Sequence, residues 1–325
     1  LYSAMCGAPN SRYNRAPMQI LRGLSSPDTQ PVALTIGNFD GVHLGHQSLL
    51  ADLTRAAQTR GLQTAVVIFE PHPREYFTPG QAPARLTSLR EKLQFFAGLG
   101  IDRVHVCRFN ERFAQMSAAD FINALHDKSC ARFVLIGDDF RFGSGRVGDF
   151  ALMEKIAAVR GFEVHAVHAV LHDGVRISST AVRAALAAGQ LRTAQRYLGR
   201  HYSMSGRVVH GDQVGRKLGF PTANIQVRHP RLPLSGIYVA QVHAEGLGVL
   251  QGAASMGVRP TVRHDAKPTL EVHLFEFDQQ IYGKHLRVEF LQKLRDEAKY
   301  PDLATLTRHI AMDVENAKQW FAQHD

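Results

Sequence analysis

Cysteine is scarce in this chain. Cys6, Cys107 and Cys130 are the only three among 325 residues, and no two form a Cys-x-x-Cys pair. That spacing excludes a disulfide scaffold and a zinc ribbon, and it fits a reducing cytoplasm. No apolar run approaches the roughly 18 residues that a membrane span needs. The first 17 residues, Leu1 to Pro17, lack the apolar core of a signal peptide. They read as a disordered extension ahead of a natural start near Met18. Like charges never run five or six together, although 38 Lys and Arg against 29 Asp and Glu leave a net charge of +9. A scattered excess of this kind suits anionic metabolites and ordinary solvated surface better than the basic stripe of a nucleic-acid binder. Internal repeats are absent too, so the halves are not duplicates.

What is present is globular material, 45% hydrophobic and 21% charged, long enough for two domains. In the first half, apolar runs and helical spacing alternate. Strands are expected at Val32 to Ile36, Thr64 to Phe69, Val104 to Val106 and Phe133 to Ile136, with Phe162 to Val170 extended. Helices are expected at His46 to Arg60, Leu86 to Leu99, Ala118 to His126 and Glu154 to Val159. Such alternation predicts a parallel sheet with helices on both faces, binding its ligand beyond the carboxyl ends of the strands. Two short helices, Ser179 to Gly189 and Leu191 to Leu198, follow. After Gly199 the period changes to two. Five segments alternate apolar with polar residues: Gly206 to Val209, Ile237 to Val242, Gly252 to Met256, Thr269 to Phe277 and Leu286 to Phe290. This predicts a small antiparallel barrel, closed by a helix over Leu303 to Phe321. The expected division is an extension 1–17, a first domain 18–187 and a second domain 188–325.

Two stretches are suited to phosphate, and they differ from each other. The first, Gly37-Asn38-Phe39-Asp40-Gly41-Val42-His43-Leu44-Gly45-His46, sits at a strand-to-helix turn. Its glycines allow close backbone approach, and His43 and His46 lie three apart at a helix start, where amides and imidazoles together favour an anion. Alone, it is equally a glycine turn with two surface histidines. Three more stretches are expected at the same sheet edge: Phe69-Glu70-Pro71-His72-Pro73, Gly137-Asp138-Asp139-Phe140-Arg141-Phe142-Gly143, and Ile177-Ser178-Ser179-Thr180 leading into a helix that bears Arg183. Ser and Thr there can cap the helix or hold phosphate, and Arg183 can pair with phosphate oxygens. The second stretch runs from Gly211 through Lys217 and Gly219 to Pro221-Thr222-Ala223-Asn224. It is a polar, glycine-spaced loop, and Thr222 and Asn224 are neutral oxygen donors for Mg²⁺ carried on ATP. Alone, Pro-Thr-Ala-Asn reads as a turn. Glu271, on one strand face with His273 and Phe275, is a carboxylate able to take a proton from an attacking hydroxyl, or else an exposed strand residue.

Taken together and in order, G-N-F-D-G-V-H-x-G-H, F-E-P-H-P, G-D-D-F-R-F-G and I-S-S-T-x-x-R over residues 32–185 resemble the adenylyltransferase module of the bacterial bifunctional riboflavin kinase/FAD synthetase family. Over 200–325, G-R-x-L-G-F-P-T-A-N-I, L-E-V-H-L-F and Leu294-Arg295-Asp296-Glu297 resemble its riboflavin kinase module. The resemblance implies phosphorylation of riboflavin to FMN and adenylylation of FMN to FAD, with ATP as co-substrate and Mg²⁺ as cofactor. It also implies a Rossmann-like nucleotidyltransferase sheet followed by a six-stranded antiparallel barrel. Carried over, His43 and His46 contact ATP phosphates with Gly37, Asn38, Phe39, Asp40, Gly41, Asp139, Ser179, Thr180 and Arg183 around the nucleotide. Glu70, Pro71 and His72 are then on the flavin side. In the kinase module Gly211, Lys217, Gly219, Pro221, Thr222 and Asn224 hold Mg-ATP, Glu271 is the base, and Arg295 and Tyr300 are flavin-side residues. Three rival readings remain at this point: a nucleic-acid binder built on nucleotide folds, an enzyme with one live site, and a nucleotidyltransferase acting on another phosphomonoester.

Overall fold

The computed structural model describes residues 16–26, 29–211, 214–227, 231–259 and 267–324. The extension expected at 1–17 therefore lies almost wholly outside the described residues. Contacts divide the chain into two units. One takes the described residues up to Asn38 with Leu49–Tyr76 and Leu93–His168, and the other takes Phe39–Ser48, Phe77–Lys92 and the chain from Ala169 onward.

The first unit is built on a six-stranded parallel sheet. Its elements in chain order are β1 (Gln19–Arg22), β2 (Val32–Ile36), α1 (Leu44–Arg60), β3 (Gln63–Glu70), α2 (Pro73–Phe77), α3 (Leu89–Gly98), β4 (Arg103–Arg108), α4 (Glu111–Ala114), α5 (Ala118–Asp127), β5 (Ala131–Gly137), α6 (Phe150–Arg160) and β6 (Glu163–Val167). The strand order is β1-β4-β3-β2-β5-β6. Every residue of β2 is buried, as expected for a central parallel strand covered on both faces. Val32, Leu34 and Ile36 pack with Phe121, Leu125 and Met153 on one of those faces. The order reverses at β2, whose neighbours are β3 and β5, so the crevice of this sheet opens beyond Ile36 and Gly137. Edge strand β1 carries no strong period and is absent from the sequence reading; pairing with β4 creates it. The helix expected from Leu86 starts at Leu89 instead. Ser88 and Glu91 form a reciprocal capping box, the Ser88 amide donating to Glu91 Oε2 (2.7 Å) and the Glu91 amide to Ser88 Oγ (3.3 Å).

The second unit contains a short hairpin, β7 (Leu171–His172) and β8 (Val175–Arg176), then helices α7 (Ser179–Ala187) and α8 (Leu191–Leu198). A closed barrel follows: β9 (Tyr202–Val209), α9 (Val214–Lys217), β10 (Ala223–Ile225), β11 (Gly236–Ala244), β12 (Gly248–Arg259), β13 (Lys267–Leu274) and β14 (His285–Arg295), with α10 (Leu303–His324) last. The barrel order is β10-β13-β12-β11-β14-β9, antiparallel throughout. Alternation alone picked out five of these strands. The sixth is Ala223–Ile225, inside the stretch that reads as a turn, because three residues are too few to show a period. Tyr238, Ala254, Met256, Leu270, Val272 and Phe290 fill the barrel interior. Ala317 and Phe321 of α10 pack outside it on Val239, Ala253 and Leu291. Among the described residues no helix is long and apolar enough to cross a membrane.

Candidate active sites

Strand alternation decides where the first candidate site lies. Leu270, Val272 and Leu274 point into the barrel, so Thr269, Glu271 and His273 face outward. On the neighbouring strand Ala253 and Ser255 share that outer face, and Glu271 stands in register between Asn224 and Ser255. These outward residues form one wall of a cavity of about 470 Å³, a size suited to a single small ligand. Phe220 and Thr222 bound another side, and Leu306, Ile310 and Val314 of α10 a third. Thr222 Oγ1 donates to Glu271 Oε2 at 3.3 Å. A ring nitrogen of His273, Nδ1, lies 2.8 Å from the carbonyl of Pro221, tying the Pro-Thr-Ala-Asn segment to β13. Gly211 is necessary for that segment's other neighbour. A Cβ there would lie 2.4 Å from the Asn224 carboxamide, which packs flat against the glycine. Lys217, at the end of α9, and Gly219, in the turn after it, are exposed beside the cavity.

The far end of the cavity is ionic. Arg295 is held by Asp313 of α10 through a fork, Nε to Oδ1 at 2.9 Å and Nη2 to Oδ2, and its guanidinium stands 5.7 Å from the Tyr300 ring centre. Tyr300 Oη is buried with no hydrogen-bond partner. Glu297 lies against Gly257, where any Cβ would collide with its carboxylate. Burial pushes the Glu297 carboxyl above its ordinary pKa, against the pull of the Val258 amide and Arg295. Of the sequence candidates, Thr222, Glu271, Arg295 and Tyr300 thus share one cavity. Ser255, Glu297 and Asp313 were not foreseen. Glu297 was marked only as the end of the Leu294-Arg295-Asp296-Glu297 stretch, and Asp313 only as a carboxylate on the apolar stripe that Leu306, Ile310, Ala317 and Phe321 mark on α10.

The second candidate site is the H-x-G-H turn, also in the second unit. His43 and His46 stack with ring centres 3.6 Å apart, and the His46 amide donates to His43 Nδ1 at 3.3 Å. Nδ1 is therefore an acceptor, and the neutral His43 ring carries its proton on Nε2. Gly45 makes room for the stack, since a Cβ would come within 3.2 Å of the His43 ring. Burial lowers the His43 pKa to about 4; Asp40 opposes the shift, and Arg200, Arg176 and Arg183 add to it. His46 is held well below its ordinary value by burial, then by His43 and Lys92. Both rings are neutral near pH 7, so each carries a single N–H.

The turn itself is strained and clasped. Phe39 and Val42 take positive φ of 49° and 41°, which for a β-branched residue costs on the order of 1–3 kcal/mol. Buried Asp40 accepts from the amides of Leu86 and Thr87 (3.0 Å each) and from Arg183 Nη2. Arg183 Nε also donates to the Ala84 carbonyl (2.6 Å), and Ser179 Oγ to the Asp40 carbonyl (2.8 Å). Asp40, Arg183 and Ser179 therefore hold one another. Thr180 is exposed at the start of α7, which Ser178 caps through the Ala181 amide. Gly41 donates its amide to Thr87 Oγ1. Gly37, Asn38, Glu70, Pro71, His72 and Asp139 belong to the first unit, at the carboxyl ends of β2, β3 and β5. There the Glu70–Pro71 bond is cis, the His72 amide donates to Glu75 Oε2 (3.1 Å), and Asp139 is exposed.

A carboxylate on the wall of a barrel-face cavity, on one chain with a glycine turn of paired neutral imidazoles, is an arrangement suited to group-transfer chemistry on phosphates. Two family models match the chain: one described as FAD synthetase matches residues 25–181, and one described as riboflavin kinase matches 198–321. The bifunctional riboflavin kinase/FMN adenylyltransferase of Escherichia coli is 44% identical over 94% of this chain and 98% of its own length. That of Pseudomonas fluorescens is 46% identical, over 93% of this chain and 97% of its own. A solved structure described as a macrolide-efflux protein from Streptococcus pneumoniae is 26% identical with a TM-score of 0.78, covering 94% of this chain and all of that one. What it shares with this chain is the fold. The chain belongs to the bacterial bifunctional riboflavin kinase/FMN adenylyltransferase family.

Proposed function

We propose that this chain phosphorylates riboflavin with ATP, giving FMN and ADP, and then transfers AMP from a second ATP to FMN, giving FAD and pyrophosphate. The observation that most supports the kinase half is Glu271, bonded to the Thr222 hydroxyl on the wall of the barrel-face cavity. As the riboflavin 5′-hydroxyl attacks the γ-phosphorus, the Glu271 carboxylate accepts its proton and the bond to ADP breaks. Arg295 and Tyr300 are assigned to the flavin. Gly211, Lys217, Gly219 and Pro221 are assigned to the ATP loop. Thr222 and Asn224 offer neutral oxygens, and among the described residues no group of three or more His, Cys, Asp or Glu could hold a metal. That donor set fits Mg²⁺ arriving on ATP phosphates rather than a dedicated protein cage. When bound, the ion supplies neutralisation of charge on the transferring phosphoryl group.

Adenylylation needs no base. The FMN phosphate is largely dianionic at neutral pH, with a second pKa of about 6. Its oxygen attacks the α-phosphorus of ATP and pyrophosphate leaves, so the protein's task is positioning and charge stabilisation. His43 and His46 supply N–H donors to the phosphates. Asp40, Ser179 and Arg183 clasp one another and so hold the turn that carries them, and together with Phe39, Gly41 and Thr180 they are assigned to the nucleotide. Gly37, Asn38 and Asp139 are assigned to the nucleotide and Glu70, Pro71 and His72 to the flavin. The cysteine pattern supports a cytoplasmic setting, and ATP, riboflavin, FMN and FAD are the partners assigned.

Incubating the protein with riboflavin, ATP and Mg²⁺, then resolving the flavins by chromatography over time, tests both halves. FMN should rise and then convert to FAD. His46→Ala should stop FAD formation and spare FMN formation, and Glu271→Ala the reverse when FMN is supplied directly. Loss of both activities in either folded variant would refute the two-site assignment.

A further inference from the structure

We propose that Arg200, which lies within the stretch matched by the riboflavin kinase model, is a positioning residue for the other reaction, FMN adenylylation. The inference rests on the assignment of the H-x-G-H turn to that reaction. Arg200 follows α8 and precedes the first barrel strand. Its guanidinium spans the histidine-bearing turn: Nη2 donates to the carbonyl of Gly41 (2.6 Å), and Nη1 to the carbonyls of Val42 and Leu198 (3.1 Å each). Gln47 Nε2 donates to two of the same acceptors, Val42 (2.8 Å) and Leu198 (2.9 Å).

These contacts fall where the backbone is least able to hold itself. Gly41 and Val42 both have positive φ, 82° and 41°, and Val42 immediately precedes His43. A β-branched residue in the left-handed region, as Val42 is, keeps that conformation only when its surroundings over-determine it. Arg200 binds the carbonyls of both Gly41 and the strained Val42, so it fixes the peptide planes from which His43 departs. His46 in turn is registered on His43 through its amide. Burial lowers the Arg200 pKa only to about 10, so the fork is charged at neutral pH. A lysine would present one nitrogen where the planar fork presents two.

The same barrel strand supports the turn's second layer. Tyr202 Oη donates to the Leu86 carbonyl (3.1 Å), and the Leu86 amide donates to Asp40 (3.0 Å). Ser205 donates through its amide to Glu91 Oε1 (2.7 Å), and Glu91 caps α3. The kinase-type barrel thus scaffolds the adenylyltransferase turn. Arg200 stands apart from the cavity of Glu271 and Thr222, so riboflavin phosphorylation in the same sample serves as an internal control for folding.

The test measures both activities in the full-length chain for wild type, Arg200→Ala and Arg200→Lys. FMN adenylylation by Arg200→Ala should lose about 10- to 100-fold in kcat, the scale set by a misplacement of about 1 Å, with KM for FMN within about twofold. Riboflavin phosphorylation should stay within about twofold of wild type. Arg200→Lys should not restore adenylylation, whereas added methylguanidinium should restore part of it to Arg200→Ala. Wild-type rates of FAD formation in Arg200→Ala would overturn the inference. So would a parallel loss of both activities that methylguanidinium leaves unchanged. A wild-type protein that makes no FAD would instead sink the functional reading, and this inference with it.

Discussion

A histidine buried 3.6 Å from a second histidine, with arginines around it, has no favourable place for a second proton. That has a consequence for stability. In the unfolded chain His43 titrates near 6.5 and in the folded protein near 4, so above pH 6.5 its ring is neutral in both states and adds nothing. Between 6.5 and about 4 the unfolded chain binds a proton that the folded protein refuses, and stability falls with pH by about 1.4 kcal/mol per unit. Over the whole window the loss is about 3 kcal/mol, and below about 4 it stops growing. His46 acts in the same direction. Urea midpoints should therefore drop more steeply between pH 7 and pH 5 for wild type than for His43→Asn, by the equivalent of about 2 kcal/mol. Equal slopes would mean that the ring is solvated. At this scale the sequence marks the motif residues but not the bonds they make to one another. Asp40 and Arg183 read as nucleotide contacts, and in the fold they bond each other, because the loop 84–87 that completes the clasp lies more than forty residues away.

At the scale of elements, α10 does two things at once. Its Phe321 end packs on the barrel wall, while Leu306, Ile310, Asp313 and Val314 border the cavity. Phe321→Ala should cost about 3–5 kcal/mol, the usual range for truncating a buried phenylalanine. The barrel closes on itself without α10, so the loss should appear first as detachment of the helix. Riboflavin phosphorylation should then fall further than adenylylation of supplied FMN. A variant that keeps full kinase activity would show that the cavity does not depend on the helix. Long periodic elements such as α1, β3, β11 and α10 could be read from apolar spacing. Short ones could not. β1 and β10 exist only through pairing with β4 and with β9 and β13, and no local signal marks a strand of three or four residues.

For the whole molecule, the net charge of +9 sets a field that draws anions and ignores neutral solutes. FMN is largely dianionic and riboflavin is uncharged. Raising salt from about 50 mM to about 500 mM, which shortens the Debye length to a few ångströms, should raise KM for FMN in adenylylation and leave KM for riboflavin in phosphorylation nearly constant. Equal responses would trace the effect to ATP alone. The sequence by itself determined the two fold classes, the family, and the chemistry each motif can perform, because strand period, glycine placement and side-chain type are local properties. Only the tertiary structure decided that Glu271 faces a cavity outside the barrel, that Asp313 orients Arg295, and that an arginine of the kinase stretch clasps the histidine turn. Each of those depends on register or on contacts across more than a dozen residues, and no periodicity within one segment encodes which distant carbonyl a guanidinium will find.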